Sequence, residues 1–261
     1  TDLFEIVALA DLNISAAHAL ADRFGITQAD CFADPKAMLA AQEMDAVLIL
    51  NSGSHAEVVE LALRAGKTVF CEKPLAYTRA EMKAIEKAKS ESGSNLMIGY
   101  MKTFDPAVLE AKKAIKSRPR TVDVLVLHPS GDSQLVTSDE SLNMPKPSNE
   151  LIEIFTKSRN AVQEDALGKD GAASFGNLYS EMVLGSVIHE FSVLRALDIH
   201  ISEIDYVDRW PAGSASDSII IFGRTEDGVR VTVRWFYLDQ YPMYQEEIRW
   251  VNGEEGNHII F

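Results

Sequence analysis

A doubly wound parallel α/β domain followed by an α+β domain with an open, mostly antiparallel sheet is the fold class this sequence predicts, and three patterns predict it. Short apolar runs alternate with amphipathic helical stretches over the first hundred residues. That rhythm changes after Asp105-Pro106, and from Asp217 onward apolar and polar residues alternate with period two. Strands that are apolar throughout and joined by helices imply a parallel sheet covered on both faces. Period-two strands joined by tight turns imply an antiparallel sheet with one covered face.

The elements follow in order. Residues 4–11 read as an apolar strand ending in an acid. A helix comes next, capped by Asn13 or Ser15, with Ala16, Ala19, Leu20 and Phe24 at helical spacing and Gly25 as its stop. The pattern repeats as helix 35–42, strand 46–50, helix 56–65 closed by Gly66, strand 68–72, helix 79–90 and strand 95–100. Helix 107–115 and strand 122–128 then precede a polar stretch, 130–149, whose Pro145 and Pro147 mark an exposed loop. Helices are expected at 150–163 and 178–197. Strands 219–222 and 229–235 flank the turn Glu226-Asp227-Gly228, and strands 247–251 and 257–261 flank Asn252-Gly253. The domain boundary falls between residues 103 and 104, giving a first domain of 1–103 and a second of 104–261.

Composition narrows the function classes. The 261 residues are 46% hydrophobic and 25% charged, enough apolar material for two cores. With 39 acids against 25 bases the formal charge is −14, which repels polyanions and argues against nucleic acid or an anionic membrane surface as a partner. A small neutral substrate is the easier fit. The longest apolar runs are strand-sized, far short of the ~20 residues that span a bilayer. Cys31 and Cys71 show no metal-ligand spacing, so no metal site is expected, and reduced thiols in a cytoplasm are the default.

Three segments carry candidate chemistry. Asp11, with Leu12 beside it, ends a strand where an acid accepts hydrogen bonds from both hydroxyls of an adenosine ribose. The same charge repels a 2′-phosphate, which favours NAD over NADP; a solvated loop acid is the plain alternative. The usual companion of such an acid, a G-x-G-x-x-G turn about 20 residues earlier, is not found, because the sequence begins at Thr1. The second segment, Asn51, Ser52, Gly53, Ser54 and His55, leaves strand 46–50 at the carboxyl edge of the sheet, where ligands of open α/β folds bind. It also suits a helix N-cap, and His55 fits a capping or supporting role better than catalysis. The third segment, Glu72-Lys73-Pro74, closes the next strand. A lysine there can hold a substrate hydroxyl and favour the alkoxide as hydride leaves, tempered by the neighbouring glutamate. Alone, the pair reads equally as a surface ion pair.

The run 65–76 around Glu72-Lys73-Pro74 resembles the signature of the glucose-fructose oxidoreductase and inositol dehydrogenase family, Gfo/Idh/MocA. Residues 51–55 and 99–106 fall where that family has its cofactor and substrate loops. The resemblance implies a Rossmann dinucleotide-binding domain, then a domain whose open sheet often mediates oligomerisation, hence a homodimer or homotetramer. It implies NAD(P)-dependent oxidation or reduction of sugars, cyclitols or related polyols. It also implies a Lys73-Pro74 bond that is often cis, holding Lys73 at the nicotinamide.

In the second half, Gly185 to Arg195 is similar to the family's catalytic helix, whose fuller pattern is D-x-G-x-H-x-x-D. His189 matches the histidine that exchanges the hydroxyl proton, a role suited to a near-neutral imidazole. Gly185 and Ser192 stand in place of the two acids. Glu181 is the nearest substitute on that stretch, though a solvated side chain is the preferred reading. Tyr100 and Lys102 become candidate substrate contacts, while Met101 stands where many members have asparagine. Against the family pattern, the first strand with its glycine loop and the closing helix and strand are expected to lie outside this sequence. A binding regulator of the same fold that turns nothing over is the rival expectation.

Overall fold

The computed structural model describes residues 3–129, 144–210, 217–238 and 243–252, and the backbone of 255–260. It divides into two compact units, Thr1–Gly99 with Leu135–Ser180, and Tyr100–Gln134 with Glu181–Phe261.

The first unit opens with β1 (Leu9–Ala10), α1 (Ile14–Phe24), β2 (Cys31–Phe32) and α2 (Pro35–Ala41). It continues with β3 (Ala46–Ile49), α3 (Ala56–Arg64), β4 (Thr68–Cys71), α4 (Arg79–Ser92) and β5 (Leu96–Ile98). All strand pairs here are parallel: β1 with β2 in one sheet, and β3-β4-β5 in another. Two of these four helices begin on a side-chain cap. Asp34 accepts from Lys36 N ahead of Pro35, and Thr78 and Glu81 close a capping box over α4.

Two expectations change here. The strand expected over 4–11 is reduced to Leu9–Ala10, the two residues that pair with Cys31 and Phe32 of β2. The strands are not covered on both faces either. Val47, Ile49, Val69 and Cys71 are buried against Val59 and Leu63 of α3 and Ile85 of α4, whereas Leu48, on the opposite face of β3, is 67% exposed. The helices that are described cover one side of β3-β4-β5 only.

The second unit begins with α5 (Pro106–Ala114) and β6 (Thr121–Pro129). The expected loop at 130–149 lies outside the described residues up to 143. α6 (Asn149–Asn177) belongs wholly to the first unit and extends well past the helix expected at 150–163. It breaks at Gly168, whose φ of 72° and ψ of 166° are glycine geometry. Buried Gln163 joins its two halves, donating to Gly176 O at 3.0 Å and to Ser180 Oγ at 2.9 Å. The helix expected at 178–197 is divided into π-helical turns, Leu178–Val187, and α7 (Ile188–Ala196).

The remaining strands are β7 (Ile201–Trp210), β8 (Ser218–Thr225), β9 (Arg230–Leu238), β10 (Gln245–Asn252) and β11 (Glu255–Ile260). They join β6 in a six-stranded sheet, β11-β10-β6-β9-β8-β7, antiparallel except for β6 with β9. The period-two pattern is realised as Val122, Val124, Val126, Val231, Val233, Trp235, Ile248 and Trp250 on one buried face. The indole nitrogen of Trp235 donates to Ser186 Oγ at 2.9 Å, which ties the π-helical turns to that face. The chain therefore combines a Rossmann-type parallel unit with a mostly antiparallel sheet unit, as the patterning predicts. Among the described residues no helix is long and apolar enough to cross a membrane.

Candidate functional site

In the first unit, β3 and β4 run parallel with Ile49 opposite Cys71, so residues 51–55 and 72–74 leave the sheet side by side at its carboxyl edge. Glu72 N donates to Ile49 O at 2.8 Å and holds the two exits together. His55 is buried between them, with Nδ1 2.5 Å from Pro74 O and Nε2 2.6 Å from Asn51 O. The Lys73-Pro74 bond is cis. Lys73 is half-buried, and its backbone N donates to Glu72 Oε2 at 3.2 Å.

The neighbouring residues explain the local sequence. A Cβ at Gly99 would lie 2.7 Å from Glu72 Oε1, so a glycine after β5 is what leaves the Glu72 carboxylate its place. Gly53 combines a φ of +89° with Phe155 Cε2 only 3.3 Å from where a Cβ would stand, so the loop needs glycine twice over. Ser54 Oγ donates to Glu81 Oε1 at 2.7 Å, while Glu81 Oε2 accepts from Tyr77 N at 2.7 Å and Thr78 N at 2.9 Å. The α4 capping box thus also anchors the 51–55 loop. Tyr179 Oη donates to Tyr77 O at 2.5 Å, and the two rings meet edge to face. Burial, with Glu81 nearby, raises the Tyr179 phenol, which keeps it a donor. Burial pushes the Cys71 thiol up to about 12, with Glu72 adding to the effect, so this cysteine is no nucleophile at neutral pH.

Asp11 follows the last residue of β1, exposed, with Oδ1 accepting from Asn13 N at 2.7 Å. Leu12 beside it is also exposed. Asn51 and Ser52 are exposed as well, and the Asn51 side chain donates to Ser52 O at 3.0 Å. An exposed carboxylate ends one strand, and a glycine-containing loop with exposed polar residues leaves another; groups of these kinds are what the ribose and phosphate ends of a dinucleotide require.

The second unit holds the other candidates. His189 lies in the first turn of α7 and is 7% exposed. Ser192, where the family pattern has an acid, turns its hydroxyl to its own helix, donating to His189 O at 2.6 Å. Glu181 is exposed. Tyr100 is half-buried, and its carbonyl accepts from Thr103 N at 3.1 Å and Thr103 Oγ1 at 2.7 Å.

Lys102 is engaged by groups that nothing in the sequence pattern marks as its partners. Its ammonium donates to Glu190 Oε1 at 3.0 Å, to Glu246 Oε2 at 2.5 Å and to Tyr244 Oη at 2.5 Å, which accounts for all three of its protons. Both glutamates are fully buried. Burial by itself lowers the Lys102 ammonium, but the two carboxylates outweigh it and hold the group above its usual range. Burial, helped by Glu246 and opposed by Lys102, pushes the Glu190 carboxyl up to about 7.

Residues 1–100 match the family model described as an oxidoreductase family with an NAD-binding Rossmann fold, GFO_IDH_MocA. An inositol 2-dehydrogenase of Pseudomonas savastanoi pv. phaseolicola is 38% identical over 126 residues, covering 48% of this chain and 37% of that protein. One from Paracoccus denitrificans is 38% identical over 112 residues, covering 42% of this chain and 33% of its own length. The aligned stretch thus spans little more than a third of these relatives. Among solved structures, a probable dehydrogenase from Thermotoga maritima superposes with a TM-score of 0.68 at 17% identity, covering 97% of this chain and 67% of that one. A myo-inositol dehydrogenase from Lactobacillus casei, in complex with NAD(H) and myo-inositol, gives 0.67 at 20% identity, covering 98% and 66%.

Proposed function

We propose that this chain, whose residues 1–100 match the model of an oxidoreductase family with an NAD-binding Rossmann fold, works in reversible hydride transfer between NAD(H) and a secondary alcohol of a cyclitol or related polyol. The observation that carries the reading is the Asn51–His55 loop and the Glu72-Lys73-Pro74 turn leaving adjacent parallel strands side by side, tied together through His55. The nicotinamide, when bound, supplies the hydride acceptor or donor. Lys73 holds the substrate hydroxyl with its ammonium and favours the alkoxide. His189 takes or returns the hydroxyl proton. Asp11 accepts from the adenosine ribose, and its charge favours NAD over NADP. The inositol dehydrogenase relatives support a cyclitol as the substrate class. A homodimer or homotetramer formed through the open sheet, in a cytoplasm, completes the reading.

The test is turnover by Lys73→Ala, using a substrate found by screening cyclitols and polyols with NAD. Loss of a positioned acid–base group costs about 10²–10⁴-fold, and that is the drop expected. Full turnover in the variant contradicts the assignment.

One observation favours a second reading, a dinucleotide-binding regulator that turns nothing over. Gly185 carries no carboxylate, and the Ser192 hydroxyl is directed at its own backbone. Binding of NADH without any polyol-dependent change in its reduction state separates this reading from the first.

A further inference from the structure

Residues 144–180, from the middle of the sequence, touch the chain where it leaves each of β1, β3 and β4 in the first unit. After β1, the Asn13 side chain donates to Pro145 O at 2.8 Å, while its backbone N donates to Asp11 Oδ1 at 2.7 Å. After β3, the ring of Phe155 lies against Gly53, with Cε2 3.3 Å and Cζ 3.8 Å from where a Cβ would stand. After β4, Tyr179 Oη donates to Tyr77 O at 2.5 Å, and the two rings meet edge to face with centroids 6.1 Å apart. Asp11, Gly53 and Lys73 thus all lie on chain held by one segment.

The segment spans these places because it is a closed hairpin. Gly176 and Ser180 follow Gln163 by 13 and 17 residues. An unbroken helix, rising about 1.5 Å per residue, would set them about 20 Å and about 26 Å away. Gln163 Nε2 instead donates to Gly176 O at 3.0 Å and to Ser180 Oγ at 2.9 Å, so the chain turns back at Gly168, where α6 leaves helical geometry. Ser180 Oγ in turn donates to Gly176 O at 3.0 Å. A Cβ on Gly176 would stand 2.7 Å from Gln163 Oε1, so glycine makes room for the amide. Gln163, Gly176 and Ser180 are all buried, and opening this latch leaves their polar groups unsatisfied. The contacts also close a circuit. Phe155 meets Gly53; the adjacent Ser54 donates to Glu81; Glu81 accepts from Tyr77 N; and Tyr77 O accepts from Tyr179, next to Ser180 of the latch.

We propose that residues 144–180 form a brace that holds the three strand-end loops in one arrangement, with Phe155 and Tyr179 as positioning residues and Gln163 as the latch. The brace is a property of the protein without ligand. Its consequence rests on the proposed dinucleotide site: loosening the brace frees the loops and weakens NADH binding while the core of the unit persists. Gln163 is the sharpest case, because its described contacts all lie within the hairpin and none is to a loop.

The experiment has two arms. In the first, hydrogen exchange without ligand is followed by mass spectrometry in the native protein, Phe155→Ala, Tyr179→Phe and Gln163→Met, the last keeping volume but giving up the latch. Faster exchange is expected over 51–55 in Phe155→Ala, over 74–78 in Tyr179→Phe and over both in Gln163→Met, with β3, β4 and β5 unchanged. Unchanged loops overturn the brace. So does exchange that quickens throughout the unit, since that is loss of fold and not of positioning. In the second arm NADH is titrated into the same proteins. An affinity about fivefold weaker is expected for Tyr179→Phe from one lost hydrogen bond, and a similar loss for Gln163→Met. Full affinity in Gln163→Met overturns the positioning role. If Phe155→Ala does not fold, Tyr179→Phe, which keeps its ring, decides. Loops that respond in the first arm, in a native protein that binds no NADH, uphold the brace and contradict the dinucleotide reading instead.

Discussion

At the scale of single residues, the second unit contains one buried ammonium facing two buried carboxylates. Removing one partner from such a group leaves uncompensated charge in a place that water does not reach, at a cost of about 3–5 kcal/mol. Lys102→Met is expected to lose that much stability above neutral pH, and less in acid, where the carboxylates can take up protons instead. Denaturant unfolding at several pH values reads this out. The raised Glu190 carboxyl sets the direction of the pH dependence. Against an ordinary value of 4.5, a folded value of about 7 means that the native state binds a proton the unfolded chain has released. The stabilisation is fully present below about 4.5 and is lost as pH rises through about 7. Glu190→Gln should flatten the fall in stability across that window, and an unchanged pH profile would show that the carboxyl does not titrate there. None of this was legible in the sequence. Glu190 is the immediate neighbour of His189, but Glu246 and Tyr244 lie about 140 residues from Lys102 and meet it only through the sheet.

Among elements, the sequence was most informative where local period and local chemistry agreed. The glycine that closes α1, the β8–β9 hairpin and the strand ending at Glu72-Lys73-Pro74 could all be read directly. β7 could not. Its pairing with β8 shifts register between Ile201 and Glu203 and again between Ile204 and Tyr206, and each shift breaks the alternation that identifies a strand. The π-helical turns at Leu178–Val187 are indistinguishable from ordinary helix in the sequence, because a wider turn leaves no compositional mark. β2 has only two residues, too few to show a period. β7 and β8 also touch at one tight point. A Cβ on Gly223 would stand 2.9 Å from the backbone oxygen of Glu203, so Gly223→Ala must push the edge strand away. A loss of about 1–3 kcal/mol is expected, measurable by urea unfolding. A neutral result would mean that β7 yields without cost.

At the scale of the whole chain, the first unit contains the proposed cofactor residues at strand ends, and the second contains His189 and an open sheet. Charged and apolar groups share the exposed face of that sheet, with Arg234 paired to Asp123, Arg224 paired to Asp205, and Phe222 and Tyr206 exposed nearby. A face of that mixed character suits a polar interface with a second copy. Sedimentation at increasing concentration should show a dimer or tetramer, weakened by Phe222→Glu; a monomer at every concentration contradicts this part of the reading. The Rossmann class was legible because each apolar run and each helix cap lies within a few residues of its neighbours. The grouping of α6 with the first unit was not, since it depends on contacts such as Phe155 on Gly53, about a hundred residues apart. The central claim is that a dinucleotide binds where β3 and β4 end. Fluorescence titration with NADH tests it most directly: the account predicts saturable binding that ADP-ribose displaces and that Gly53→Val weakens. The absence of any saturable change in the native protein would contradict it.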